Sequence, residues 1–600
     1  MAANNLPDTL RARLAAPQWT PADVMACADQ LQHLAQEAQS AGTSVQRVAV
    51  VGDLTSDLLA RAVACAIAQE GVLPLLYAAP YGVMQQECLD PDSALHAFRP
   101  DVVVLIPDWR NTWPALPVDT PVDRVDADTQ AQVRRFEALW DALEARRCII
   151  IQHTLVPPSQ QLRGIAERRS PASMASRVDA LNTALFEAGA GRVCWLQADQ
   201  LAAQVGRVTW SPARYYYAGK LGFDPRFLAD YLPWFRGAWR AATGRAKKLL
   251  VLDLDDTLWG GTIGDDGPEG IALGLDHGAR GEAFAAWQQY ITQLGQRGVV
   301  LAVCSKNDLA LAVSGLSHAV SALSRSDFSA FVCSWSDKAT GLRQIATELN
   351  LSLDTMVFVD DNPAERSLIE QILPEVALVD LGTDPAQFIE RLESGHWFDL
   401  QSYTVADLRR TATYTARCEA LATQSTAADL STYLEGLEMV GRLAVAQAAD
   451  LPRLTQLELK TNQFNLTTRR YAQPQLAATL ARPDQQLLVF QLKDRFGDHG
   501  QVSSMLLVRE GDVLRIDSWL MSCRVFSRSA EQFMLVGLIA LAKDQGATTL
   551  SGEYLPSSRN GVVADLYPRL GFIPACTKGR YWRRNLAAPI SDLTSHIRAG

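Results

Sequence analysis

Residues 249–258 read Leu-Leu-Val-Leu-Asp-Leu-Asp-Asp-Thr-Leu. Four apolar residues run directly into Asp253, Asp255 and Thr257, the pattern of a buried strand with acid groups at its carboxyl end. Side chains alternate along a strand with period two, so this reading puts Asp253, Asp255 and Thr257 on one side, lining one pocket. An acidic nucleophile in such a place points to phosphate chemistry.

The flanking sequence extends the pattern from about Lys247 to about Leu400. Periodicity predicts a helix over 282–297, a strand over 299–304, a helix after Lys338, a strand over 355–359 and a helix after Pro363. Phe284, Trp287, Ile291 and Leu294 form the apolar stripe of the first helix, leaving its other face for solvent. Alternating strands and helices imply a parallel sheet, and ligands of open parallel sheets collect beyond the carboxyl ends of the strands. Four polar clusters fall there: Asp253/Asp255/Thr257, Ser305, Lys338 and Asp360/Asp361. Taken singly, each also has a structural reading, since Asp-Asp-Asn362-Pro363 serves as a turn and helix cap and Ser305-Lys-Asn as a loop. Four in order after successive strands favour a site.

In order and type these clusters match the motifs of the haloacid-dehalogenase-like (HAD) phosphatases, which this unit resembles. The resemblance implies that Asp253 is the nucleophile and Asp255 the general acid and base. It implies that Thr257, Ser305 and Lys338 hold the phosphoryl group, with Lys306 a rival for the lysine's role. It implies a Mg²⁺ held by Asp253, the backbone carbonyl of Asp255 and Asp360, with Asp361 beside them; hard oxygen ligands suit magnesium. The gaps from Asp253 to Ser305 and from Lys338 to Asp360 are too short for a cap domain, so the pocket is expected to be uncapped and open to large substrates.

Six hundred residues exceed one core and predict roughly three to four domains. The net charge of −10 comes from 56 basic and 66 acidic residues, which gives no polycationic surface and argues against general nucleic-acid binding. Ten cysteines are scattered without a CxxC pair, so neither a zinc site nor a disulfide framework is expected. No apolar run is long enough to cross a membrane and the first residues lack a signal-peptide pattern, which predicts a soluble cytoplasmic protein.

Residues 1–245 begin their alternation with Arg47-Val-Ala-Val-Val-Gly-Asp53 and resemble the SGNH-hydrolase fold. A serine should follow Gly-Asp, but Leu54 does, with Thr55 and Ser56 one and two places late; no Asp-x-x-His pair appears near 210–217. A non-catalytic role is expected for this domain. Residues 246–402 form the HAD-like domain. Residues 403–600 carry antiparallel strands over 487–493, 502–509 and 513–521, a hairpin turn at Glu510-Gly-Asp512, a helix over 529–545 and a strand over 549–554. With Tyr567-Pro-Arg-Leu-Gly-Phe572 this resembles the GNAT acetyltransferase fold, an α+β domain, although Ser527 and Ser529 replace the glycines that cradle a CoA pyrophosphate. The fold class is thus multidomain α/β.

Cys523 stands before that helix between a strand and Arg524 and Arg528, where positive charge favours a thiolate; a buried structural cysteine is the alternative. Val251-Leu-Asp-Leu-Asp-Asp-Thr-Leu-Trp-Gly-Gly261, Lys460-Thr-Asn-Gln-Phe-Asn-Leu-Thr-Thr-Arg469, Arg495-Phe-Gly-Asp-His-Gly500 and Leu520-Met-Ser-Cys-Arg524 together resemble the FkbH-like family of polyketide biosynthesis. That resemblance implies dephosphorylation of D-1,3-bisphosphoglycerate and loading of its glyceryl group, by way of Cys523, onto the phosphopantetheine thiol of an acyl carrier protein. His499 is a further candidate base, and Arg559, Arg569, Arg580, Arg583 and Arg584 a candidate docking patch for the acidic carrier. A stand-alone phosphohydrolase and a noncatalytic assembly scaffold are the other readings.

Overall fold

The computed structural model describes residues 6–16, 19–403, 434–461, 463–495, 497–522, 525, 528–557, 560–575, 580–589 and 593–600. The chain divides into two compact units, Met1–Thr243 with Ser394–Ser402, and Gly244–Glu393 with Tyr403–Gly600.

The first unit is built on β1 (Gln46–Gly52), β2 (Pro74–Ala78), β3 (Val102–Ile106), β4 (Ile149–His153) and β5 (Val193–Leu196), all parallel in the order β2-β1-β3-β4-β5. Both faces of β1 are apolar because both are covered. Val48 and Val50 belong to one core with the helices Pro21–Ser40, Asp57–Gln69 and Leu228–Ala242; Ala49 and Val51 belong to another with Val122–Glu144 and Met174–Ala188. The segment Ser394–Ser402, read from sequence as the end of the HAD-like domain, packs here instead. Arg240 donates to the Gly395 carbonyl at 3.1 Å and the Trp234 and His396 rings lie 4.4 Å apart. Thr55 and Ser56 donate their hydroxyls to the carbonyls of Gly219 and Ala79, at 2.7 and 3.4 Å.

The second unit holds two sheets. The first comprises β6 (Leu249–Leu252), β7 (Val300–Ser305), β8 (Ala330–Cys333), β9 (Met356–Val359) and β10 (Ala377–Val379), all parallel in the order β10-β9-β6-β7-β8. β6 therefore sits at the centre, flanked by β9 and β7. The connections carry the helices Gly278–Gln296, Leu309–Leu316, Lys338–Leu349 and Pro363–Ile372, and no inserted cap domain occurs among the described residues.

The other sheet has the order β16-β17-β15-β14-β13-β12-β11-β18. Its long strands are β11 (Val440–Val445), β12 (Gln485–Asp494), β13 (Gly497–Glu510), β14 (Val513–Met521), β15 (Thr549–Glu553) and β17 (Tyr581–Asn585), with β16 (Ile573–Pro574) and β18 (Arg598–Ala599) at the ends. Gly511, at φ +64°, and Asp512 make the two-residue turn between β13 and β14, where positive φ favours glycine. β14 and β15 run parallel and pair only from Val513–Thr549 to Ile516–Gly552. Beyond that point they part, and residues 464–466 enter the gap: Met521 donates to Phe464 O at 3.1 Å and Leu555 to Leu466 O at 2.8 Å. No helix among the described residues is long and apolar enough to cross a membrane.

Candidate functional site

β6 stops at Leu252, although the Asp253 N–H still donates to Val359 O at 3.0 Å on β9. The strand alternation expected to carry Asp253, Asp255 and Thr257 ends there. Asp256 turns left-handed at φ +48°, and Leu258 donates to Leu254 O at 2.7 Å, so the chain winds into a single tight turn. Trp287 and Gln288, on the helix Gly278–Gln296, clamp that turn by donating to the carbonyls of Thr257 and Leu258 at 3.0 and 2.9 Å. Gln288, four residues after Phe284 and three before Ile291, is thus fully buried at the edge of the apolar stripe.

The turn presents Asp253 to Lys338, the first residue of its helix. Lys338 Nζ donates to Asp253 Oδ2 at 2.6 Å and also pairs with Asp360 Oδ2. All three residues are buried, Asp253 at 8%, Lys338 at 4% and Asp360 at 0% exposure, so two carboxylates share one ammonium away from water. Burial pushes the Asp253 carboxyl up; Lys338 pulls it back and Asp360 pushes it further. Burial disfavours the Lys338 charge, but Asp253 and Asp360 together hold its pKa above the ordinary lysine value. Asp361 joins them, and carboxylate oxygens of Asp253, Asp360 and Asp361 all lie within 4.8 Å of one another. Burial first, then Asp253 and Asp360, raise Asp361 to about 6. The loop is fixed by Arg366, which donates to the carbonyls of Asp360 and Asp361 at 2.6 and 2.8 Å, and by the Asn362 cap.

Asp255 is held apart from that trio. Its Oδ1 accepts from Trp259 Nε1 at 2.9 Å and from the Ile263 N–H at 3.0 Å, and its Oδ2 accepts from Asn307 at 2.9 Å. Asn307 also donates to Ser305 Oγ at 3.2 Å, and Ser305 stands near enough to Asp253 to pull its carboxyl pKa down. Asp255, Asn307 and Ser305 thus form one hydrogen-bonded chain beside the Asp253, Lys338 and Asp360 cluster. The side chain of Asp255 is not part of the carboxylate cluster, which takes Asp361 instead. Thr257 is fully buried and its hydroxyl has no hydrogen-bond partner among the described residues. Lys306 is tied to Glu365 at 2.6 Å, which leaves Lys338 as the lysine at the carboxylates. Asn307, Trp259 and Arg366 were not singled out by sequence; Asn307 lies two residues beyond Ser305 in the same loop, which was the available signal.

In the β11–β18 sheet, Cys523, Arg524, Ser527 and Arg559 lie outside the described residues. His499 is buried against Asp494, Nε2 to Oδ2 at 2.8 Å, and Arg528 pairs with the same carboxylate and lies 3.2 Å from His499 Nε2. His499 Nδ1 is buried without a hydrogen-bond partner among the described residues. Ser522, next to Cys523 in sequence, donates to Val502 O at 2.8 Å on β13, the strand that carries His499. Of the candidate docking arginines, Arg584 is buried and donates to the carbonyls of Leu570, Gly571 and Pro589 at 2.9, 3.1 and 2.7 Å, while Arg580 and Arg569 are half-exposed and pair with Glu553 and Asp565. Buried carbonyls require a donor, and a guanidinium supplies several.

No protein-family model matches the chain, and none of the curated proteins is significantly similar to it. Among solved structures, the N-terminal part of the protein BF1531 from Bacteroides fragilis, containing a phosphatase domain complexed with Mg, is 26% identical at a TM-score of 0.56, over 63% of this chain and 99% of that chain. The ribosomal-protein-S18-alanine N-acetyltransferase from Escherichia coli is 17% identical at a TM-score of 0.20, over 25% of this chain and 96% of its own. An N-acetyltransferase from Staphylococcus aureus Mu50 is 14% identical at a TM-score of 0.20, over 24% and 98%.

Proposed function

We propose that the chain is a Mg²⁺-dependent, uncapped HAD-like phosphohydrolase joined to a GNAT-like acyltransferase domain. In this reading it removes phosphate from D-1,3-bisphosphoglycerate and loads the glyceryl group on a phosphopantetheinylated acyl carrier protein. The observation that carries it is the buried cluster of Asp253, Lys338 and Asp360 at the carboxyl ends of the central parallel strands. The similarity to a solved phosphatase domain with bound Mg supports the same reading.

The residues fit the ion. Asp253 Oδ1 is buried and lacks a hydrogen-bond partner among the described residues, and two further carboxylates lie within reach of it. Asp253, Asp360 and Asp361 would hold Mg²⁺, with the backbone carbonyl of Asp255. When bound, the ion offsets the charge that the carboxylates and a phosphate bring together.

The chain's own groups account for the rest. Asp253 Oδ1 attacks phosphorus, the P–O bond to the leaving group breaks, and the group stays on Asp253 as an acyl phosphate until water displaces it. Asp255, oriented by Trp259, Ile263 N–H and Asn307, gives a proton to the leaving oxygen and takes one from that water. Ser305 and Lys338 meet the phosphoryl oxygens. For the acyl half, the Cys523 thiolate attacks the carbonyl of the acyl phosphate, forming C–S and breaking C–O with release of phosphate, and the thioester then passes to the carrier thiol. The insertion of residues 464–466 between β14 and β15 supports an acyl donor other than a CoA laid against that strand edge.

Intact mass after incubation with 1,3-bisphosphoglycerate and Mg²⁺ tests this. A glyceryl adduct lost in Cys523→Ala and transferred to added carrier is the expected result. Phosphate release without an adduct leaves a phosphohydrolase alone, and neither signal leaves a scaffold.

A further inference from the structure

The parallel sheet of the first unit ends in a cleft that the phosphohydrolase and acyl-transfer chemistry leave unused. It lies beyond the carboxyl ends of β1, β3 and β4 and takes in about 770 Å³ of space, the solvent at its open mouth included. Trp109, Trp210, Phe223 and Leu54 give it aromatic and aliphatic walls. Two arginines line it, Arg110 and Arg207, against one acidic residue, Asp108. Arg110 pairs with Asp108 at 2.8 Å and lies over the Trp109 and Tyr216 rings, 4.7 and 4.3 Å from their centroids. Arg207 is half-buried, and its side chain has no hydrogen-bond or ion-pair partner among the described residues. One cation is therefore uncompensated at an apolar cleft, where a charge-assisted contact is stronger than in open water.

The cleft lacks the parts of a hydrolase. Leu54 stands where a nucleophile would follow Gly-Asp53, and the hydroxyls of Thr55 and Ser56 are held by backbone carbonyls outside the lining. The histidine of the cleft, His153, hydrogen-bonds Tyr231 at 2.9 Å rather than Ser159 or Ser211. Burial drives the His153 pKa down to about 3, so it brings no second positive charge at neutral pH.

We propose that this cleft binds, without hydrolysing, a small organic anion: an aryl- or alkyl-carboxylate whose apolar body lies among Trp109, Trp210 and Phe223 and whose charge meets Arg207. Calorimetric titration of the full chain with arylalkanoates from phenylacetate to 4-phenylbutyrate, each beside its uncharged amide, tests it. The acids bind, the amides bind at least about tenfold more weakly, and Arg207→Gln weakens the acids by about tenfold or more while leaving the amides unchanged. Ser211→Trp, which puts an indole into the cleft, abolishes both. Circular dichroism melts and hydrolysis of a small phosphate ester stay as in the parent for both variants. Equal binding of acid and amide to the parent chain overturns the proposal without reliance on any variant. So does unchanged acid binding in a folded Arg207→Gln, or no acid binding up to about 1 mM, the weak end of specific affinity.

Discussion

Replacing Lys338 with Met removes the cation that Asp253 and Asp360 share and keeps an unbranched apolar stem one atom shorter. The two carboxylates lie within 4.8 Å of each other, so at an effective dielectric near 20 they repel by at least ~3.5 kcal/mol once the ammonium is gone. That figure falls in the range of ~3–5 kcal/mol measured when one partner of a buried ion pair is deleted. Thermal unfolding of this unit should drop by roughly 7–14 °C in the absence of Mg²⁺, taking about 2–4 °C per kcal/mol for a domain of this size. Proton uptake by the carboxylate pair relieves the repulsion, because Asp253, already raised by burial, rises further. The folded state then binds more protons than the unfolded one, so the deficit is smallest at acid pH and grows as pH rises. Millimolar Mg²⁺ should restore most of the stability, since a divalent ion meets the same carboxylates. It should not restore catalysis, and hydrolysis of a small phosphate ester should fall about 10²–10³-fold through loss of a donor to the phosphoryl oxygens. Calorimetry with and without Mg²⁺, beside steady-state phosphate release, measures both. A melting deficit that Mg²⁺ leaves untouched, or a variant with near-parental turnover, refutes the assignment of Lys338 and the metal to one cluster.

Asp255→Asn keeps the hydrogen bonds from Trp259 and Ile263 sterically possible but removes proton transfer, so turnover should fall about 10²–10⁴-fold with little change in melting; a drop under fivefold in phosphate release would remove Asp255 from the acid–base role. Gly315→Val would place a Cβ 2.5 Å from Ile263 Cδ1 and 2.8 Å from Trp259 Cη2. Overpacking of about 1–3 kcal/mol, with loss of turnover because both neighbours orient Asp255, should appear in urea melts and kinetics together, and an unchanged rate would separate the two. His153 has its pKa lowered by burial to about 3. The unfolded chain protonates near 6.5, so the first unit loses stability as pH falls from about 6.5 towards 3, by up to ~1.4 kcal/mol per unit. The difference between parent and His153→Gln in urea melts at pH 7 and pH 5 isolates that slope, and parallel losses in both proteins would contradict it.

What was legible in the sequence follows from periodicity and order. Runs such as Leu249–Leu252 and Met356–Val359 are apolar at every position because the strands are covered on both faces, and a parallel sheet aligns their carboxyl ends, so Asp253, Ser305, Lys338 and Asp360 could be grouped before any contact was known. The turn after Asp253 was not legible, because its left-handed residue is Asp256 rather than a glycine, and the alternation of Asp253, Asp255 and Thr257 continues the strand pattern through it. Asn307, Trp259 and Arg366 escaped for a related reason: their roles are hydrogen bonds set by tertiary placement, which spacing does not encode. The same limit applies to Arg584, since a count of cations near the end of the chain does not distinguish Arg583, which is exposed, from Arg584, which is buried among carbonyls. Strands of three or four residues, β5, β8 and β10, are too short to show a period.

The absence of a cap among the described residues and the dryness of the carboxylates are reconciled by depth. A lid is one way to keep bulk water from a nucleophile; seating it at the bottom of the sheet's carboxyl edge is another. Asp253, Lys338 and Asp360 are nearly inaccessible without any inserted domain among the described residues, set between the tight turn that follows Asp253 and the loop held by Arg366. Such a site can admit the phosphate end of a large substrate while the rest remains outside. On the proposed reading, selectivity for that substrate comes from groups beyond the carboxylate cluster. That reading predicts a broad substrate range in a phosphatase assay with small phosphate esters, and a narrow range there would contradict it.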